Sequence, residues 1–167
     1  MAWTNSDGLR IEFGNEKTKG AQVGSAREDG IRQTVTCVLE ASRMTTSGGL
    51  IGGRVNNFIP AGSYIESALL VVTEAFDSGS TATLDLGLAN ADATYTNLDE
   101  DGIDVAIAES ALDTAGKEVA CDGAYIGAIL TTGGYPSYDL DTAAYTTGKG
   151  YLIITYIPKQ YPDEAAD

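Results

Sequence analysis

The sequence predicts an all-β fold, an antiparallel β-sandwich, and three observations carry that expectation. Short segments of alternating apolar and polar residues recur along the chain, glycine-rich turns separate them, and Thr, Tyr, Val and Ile dominate inside them. The 167 residues include 20 Gly and 9 Tyr and are 43% hydrophobic, which suits many short strands around one core of ordinary domain size. The expected organisation is an N-terminal arm over residues 1–30, a sandwich domain over 31–158 and an acidic, disordered tail over 159–167.

In the arm, Leu9, Ile11 and Phe13 alternate with Arg10 and Glu12 as in a half-buried strand. Gly14, Gly20 and Gly24 then punctuate a polar stretch that makes a poor core and is expected to order against a partner. From Ile31 to Glu40 the alternation is strong: Ile31, Gln33, Val35, Cys37 and Leu39 share one face. Residues 45–53 hold Ser47-Gly48-Gly49 and Gly52-Gly53 and read as a loop.

Pro60 and Gly62 set a turn ahead of the longest strand, Tyr64 to Phe76. There Leu70, Val72 and Phe76 lie opposite Leu69 and Val71, so the middle of the strand is expected to be covered on both sides. A turn at Asp77-Ser78-Gly79-Ser80 leads to Thr81–Leu88, with Leu84, Leu86 and Leu88 on one face, and the two segments read as a hairpin. Residues 89–118 are richer in Ala and Asp. Ile103, Ile107 and Ala111 fall near helical spacing, which predicts a short helical excursion near 98–113. Further strands are expected at Ala124–Thr131, at Tyr138–Thr147 as a short edge strand, and at Gly150–Ile157, with a loop at Gly133-Gly134-Tyr135-Pro136. In the last strand Tyr151, Ile153, Thr155 and Ile157 oppose Leu152, Ile154 and Tyr156, and Pro158 ends it.

Composition narrows the chemistry. Histidine is absent, which removes the commonest general base and rules out Ser-His-Asp and Cys-His nucleophilic systems. The 24 Asp and Glu make so many incidental carboxylate pairs that none stands out as a glycosidase pair, and the single Trp, Trp3, lies in the arm and lines no cleft. Ser47–Arg54 is glycine-rich but lacks the Gly-Lys-Ser/Thr ending of a phosphate-binding loop. The reading is of a chain that is not an enzyme, with no catalytic residues and no cofactor.

A net charge of −14 disfavours partners made of nucleic acid or anionic membrane. No run of about 18 apolar residues suggests a membrane helix, and the first residues lack the pattern of a signal peptide. Cys37 and Cys121 are expected to be buried free thiols. Asn97, Asp99 and Asp101, followed by Gly102, match the first half of a calcium loop, but the twelfth position is Ala108, and the expectation is that no metal is bound. Asp101 then serves as the cap of the short helix that follows. The tyrosines crowd the C-terminal third, and Tyr135 and Tyr138, in a predicted loop, form a candidate contact site.

Laid out in order, several segments resemble a family. Asp7-Gly8-Leu9-x-Ile11-x-Phe13-Gly14, Ile59-Pro60-Ala61-Gly62-Ser63-Tyr64-Ile65 running into Ala75-Phe76-Asp77-Ser78-Gly79, Ala82–Leu88, Asp99–Gly102 and Thr147–Ile157 are similar, in that order, to small virion proteins of tailed phages, notably short-tailed phages of marine hosts. The resemblance spans Asp7 to Pro158 and implies a capsid decoration protein, a jelly-roll-type sandwich added to the head exterior, with no catalytic residue to carry over. On that expectation Trp3, Leu9, Ile11 and Phe13 bind the major capsid protein, and the protein is made in the host cytoplasm and carried on the virion; the resemblance leaves open whether the domain is a monomer or self-associates as a dimer or trimer. The rival expectation is a host-receptor or carbohydrate-binding module of a phage fibre or spike, with Tyr135 and Tyr138 stacking on sugars.

Overall fold

A computed structural model describes residues 2–4, 10–12, 32–52, 57–90 and 97–159. The chain divides into two units, Met1–Ile31 and Arg32–Asp167. In the first, β1 (Ala2–Thr4) pairs antiparallel with β2 (Arg10–Glu12), with Trp3 opposite Ile11 in the backbone register. Leu9, Phe13 and residues 160–167 of the expected tail lie outside the described residues.

The second unit contains β3 (Gln33–Glu40), β4 (Gly49–Leu50), β5 (Tyr64–Asp77), β6 (Thr83–Ala89), β7 (Asn97–Ala108), β8 (Glu118–Ala120), β9 (Tyr135–Asp141) and β10 (Thr147–Ile157). They form two four-stranded antiparallel sheets, ordered β3-β10-β5-β8 and β4-β9-β6-β7. Apart from β6 to β7, each successive strand crosses to the other sheet, so the chain winds between the two layers of a sandwich. The all-β antiparallel sandwich is therefore the fold.

On β3 and β6 the inner face is the one the alternation marks, while on β5 and β10, apolar on both sides, the packing selects it. Val35, Cys37 and Leu39 of β3, Leu152, Ile154 and Tyr156 of β10, and Leu70, Val72 and Phe76 of β5 are buried against Leu84, Leu86 and Leu88 of β6, Ile103 and Ile107 of β7 and Leu140 of β9. Each such Leu, Ile or Phe, once fully buried, stabilises the fold by roughly 1.5–3 kcal/mol relative to exposure. On β5, Ile65 and Ala68 both point inward although they are three residues apart. A register shift between Thr155 and Tyr156 of β10 inserts the extra β5 residue that permits this.

Several expectations are corrected. Tyr64–Phe76 and Thr81–Leu88 do not form a hairpin: β5 has β10 and β8 at its edges, β6 has β9 and β7, and the two strands contribute to opposite inner faces. The helical excursion near 98–113 is absent. Asn97–Ala108 is strand, and only Glu109–Ala111 coils, as one 3-10 turn. Ile103 and Ile107 are four apart, a spacing that shares one face in a strand as well as in a helix, so the pattern was ambiguous. Asp101 is consequently inside a strand and caps nothing.

Ala124–Thr131 is not a strand but successive turns. Ile126 N–H donates to Gly123 O and Ala128 N–H to Tyr125 O, with one bridge at Ile129 to Tyr64. Tyr135–Pro136 is not a loop and the strand there does not run to Thr147: β9 begins at Tyr135 and ends at Asp141, paired along its whole length with β6. Pro136 lies near the strand start, just beyond the Ser137 and Tyr138 pairing with β4, a position that tolerates a missing N–H. β4 itself is a two-residue strand inside the expected 45–53 loop.

One glycine is required by packing. Gly148 has φ +132°, and a Cβ there would lie 2.3 Å from Cδ1 of Phe76, whose ring also meets Tyr145 edge-on at 5.1 Å. Gly148→Ala combines a disfavoured backbone with an overpacked core, and we expect a loss of about 3 kcal/mol in urea unfolding, with the m-value unchanged.

Candidate functional site

The interior offers no reactive centre among the described residues. Burial pushes the thiols of Cys37 and Cys121 up to about 12, so neither is a thiolate near neutrality. Both are buried and free. The Asp104 carboxylate is 6% exposed and is held above the usual carboxylate range, first by burial. The N–H of Val105, at 2.8 Å, and the Cys121 thiol hydrogen-bond to it. This pair is satisfied locally.

A cavity of about 170 Å³ opens beside the end of β3, with Leu39, Met44, Ile51 and Tyr138 as its floor. That is below the roughly 300–1,000 Å³ of pockets that enclose small-molecule ligands.

The two tyrosines of the expected contact loop separate. Tyr138 is 5% exposed and part of the core. Its hydroxyl accepts from Thr45 N–H at 2.9 Å and donates to Arg43 O at 3.3 Å, which ties the 3-10 turn Ala41–Arg43 to β9. Tyr138 is thus a structural anchor and is not available for contact. Tyr135 is half-buried, and its ring meets exposed Phe58 with centroids 5.2 Å apart.

Of the four arm residues, Trp3 and Ile11 occupy opposed positions in β1 and β2. Asn97, Asp99 and Asp101 lie along β7. The Asp99 and Asp101 side chains are hydrogen-bonded to each other, which is the main reason the Asp99 carboxyl stands above its usual range. Among the described residues no group of three or more His, Cys, Asp or Glu is placed to hold a metal ion.

The two outer faces of the sandwich differ sharply in chemistry. On the β4-β9-β6-β7 sheet, Asp85 pairs across strands with Asp139, and Thr83 with Asp141. Burial holds the Asp85 carboxyl above the usual range, the charges of Asp141, Asp101 and Asp139 add to this, and the N–H of Ala106 that it accepts opposes it. This face is acidic.

On the β3-β10-β5-β8 sheet the outward residues are aliphatic, aromatic and hydroxylic. Tyr151 stands between Val38 and Val71, and Ile153 between Thr36 and Leu69. Val38 and Tyr151 are 39% and 37% exposed. The flanking charges are paired, Lys149 with Glu40 at 2.7 Å and Arg32 with Glu66. Lys149 is the main cause of the lowered Glu40 carboxyl. This apolar face was partly legible in the sequence: β5 and β10 carry apolar residues on both sides. The expectation that both sides are covered is not met within the described chain.

No protein-family model and no curated protein matches this sequence. Solved structures do. A chain of the cyanophage Pam1 capsid asymmetric unit is 12% identical with a TM-score of 0.56, the alignment covering 89% of this chain and 100% of that one. A chain of the capsid of Ralstonia phage GP4 is 16% identical with a TM-score of 0.52, covering 87% and 94%. At such identities the likeness is one of fold.

The raised carboxyls set a pH dependence. An acid whose folded-state pKa exceeds its unfolded value binds its proton more tightly when folded, so Asp85, Asp99 and Asp104 favour folding as pH falls from neutral towards the ordinary value of about 4. Glu40 and Asp113 are shifted the opposite way by their ion pairs with Lys149 and Lys117, which lie at the surface where solvent screens them. The expected outcome is a higher Tm at pH 5 than at pH 7.5 in differential scanning calorimetry, with a flatter slope in Asp85→Asn. A Tm that falls steadily over that interval contradicts the assignment. The two thiols should resist maleimide in the folded protein and react at full rate in urea.

Proposed function

We propose that this chain is a non-enzymatic virion structural protein that binds the outside of a tailed-phage capsid, a decoration or cement protein attached to the major capsid protein through its N-terminal arm. The observation that carries the reading is the fold likeness to chains of two phage capsids, extending over nearly the whole of each. The chemistry of the interior supports it: histidine is absent and both thiols are held protonated. A body of this kind acts through the surfaces it presents. Residues 1–30 serve as the arm, 31–158 as the body and 159–167 as a solvent-facing tail. Trp3, Leu9, Ile11 and Phe13 supply the apolar anchors, since a few buried aromatic and aliphatic side chains carry most of an interface's energy. Net charge of −14 keeps the body away from packaged nucleic acid and on the exterior.

A second reading, a receptor- or carbohydrate-binding module of a fibre or spike, is favoured by one feature, the partly exposed Phe58–Tyr135 ring pair. Capsids stripped of accessory proteins and sedimented with the purified chain distinguish the two. Wild type should pellet with capsids, and a variant lacking residues 1–13 should stay in the supernatant while keeping its circular dichroism and cooperative melting. Full occupancy by the truncated chain refutes the arm. No pelleting of wild type, together with glycan binding lost in Tyr135→Ala, replaces the first reading with the second.

A further inference from the structure

The chain enters the sandwich at one end, and the two ends of the sandwich are unlike. The second unit begins at Arg32, directly before β3. Gln33 lies level with Tyr156 of β10, and Tyr156 with Ile65 of β5. Arg32 is ion-paired with Glu66, which holds the point of entry against β5. Whatever residues 1–31 engage, their attachment is at this end.

Two antiparallel segments cap the same end. Ile59 N–H donates to Gly134 O at 2.9 Å and Gly134 N–H to Ile59 O at 3.0 Å. Gly62 N–H donates to Leu130 O and Leu130 N–H to Ser63 O, each at 2.8 Å. Tyr64 bridges to Ile129. This ladder holds large apolar side chains outward: Phe58 is 39%, Tyr64 38% and Ile129 68% exposed. The Tyr135 ring leans on Phe58, and a Cβ at Gly133 would lie 2.8 Å from that phenyl ring, so the glycine lets the ring lie on the backbone. At the other end, the turns after β5 and before β8 expose Asp77 and Asp113, and no large apolar side chain is exposed there among the described residues. Val38, Val105 and Tyr151, also exposed, lie within strands.

Exposed aromatic and aliphatic side chains on a hydrogen-bonded frame mark a contact surface, because little side-chain freedom is lost when they are covered. We infer, on the capsid reading proposed above, that Phe58, Tyr64, Ile129 and Tyr135 form a second contact with the major capsid protein, made beside the root of the arm. The arm tethers the body and this end seats it. Once the arm is bound, a further contact by the same chain is intramolecular, and its effective concentration falls as the chain between the two contacts lengthens. The end at which the arm is rooted therefore gains most. The matching surface on the partner is apolar, since covering a charge there without pairing it would cost more than the contact returns. A sugar suits the ring pair alone, but Ile129, the most exposed of the group, offers its hydroxyls no hydrogen bond. Asp77 and Asp113, at the far end, stay in water.

Co-sedimentation of the full chain with stripped capsids, titrated to give an affinity, tests this. Ile129→Asp and Tyr64→Ser should each weaken binding by about tenfold, both keeping wild-type circular dichroism and melting. Val105→Asp, at a position 54% exposed on β7 and away from this end, should bind as wild type does. Wild-type affinity in both end variants overturns the second contact and leaves the arm standing, which the deletion of residues 1–13 probes separately. An equal loss in Val105→Asp overturns it too, since added charge alone then accounts for the effect. Glycan binding that disappears in Ile129→Asp while capsid affinity is unchanged assigns this end to a receptor instead. Wild type that fails to pellet removes the capsid reading and the second contact together.

Discussion

Two four-stranded sheets stay folded only while their inner faces exclude water from each other, and that contact governs the rest of this molecule. Leu70, Leu152 and Ile154 on one side and Leu84, Leu86 and Leu88 on the other are fully buried. None of these strands could bury its apolar side within its own sheet, because a sheet is one layer thick. The winding follows: β3, β5, β8 and β10 are interleaved along the chain with β4, β6, β7 and β9, so most connections bridge the two layers. β10 is the structural centre of its sheet, running antiparallel between β3 and β5 through Lys149–Tyr156.

That architecture also shapes the interior. Among the described residues Leu, Ile, Val and Phe fill the core, and the cysteines and Asp104 that it encloses are held protonated or hydrogen-bonded locally. Cys121 and Asp104 hydrogen-bond to each other, and Cys37 sits in the apolar layer. What varies is the outside. One outer face sets Asp139 and Asp141 around Asp85, whose carboxyl is held above its usual range first by burial; the other presents Tyr151, Ile153, Val38 and Val71 between ion pairs. A body with two chemically unlike faces is suited to being oriented on something larger, and this is the physical content of the capsid reading.

The tyrosines show how local cues mislead about surfaces. Tyr135 and Tyr138 sit beside Gly133-Gly134 and Pro136, and those residues announce a turn. In the fold, Tyr138 is a core residue because β9 pairs with β6 and turns that side chain into the sandwich, where its hydroxyl finds Thr45 and Arg43. Phe58, which meets Tyr135, is 77 positions away in the chain. No pattern near either residue signals that pairing.

The sequence by itself determined the class of fold, the inward faces of β3 and β6, and the burial of both cysteines, because period-two alternation is a local property that survives any tertiary arrangement. It also recorded that β5 and β10 are apolar on both sides. Tertiary structure alone decided the rest. Whether Phe76 and Leu84 belong to one hairpin or to facing sheets, whether an i, i+4 pair such as Ile103 and Ile107 coils or extends, and which side of β10 is left open all depend on which strand edges find each other. Edge pairing is made by backbone N–H and C=O groups, which every residue but proline carries alike, so the side-chain sequence does not name the partner.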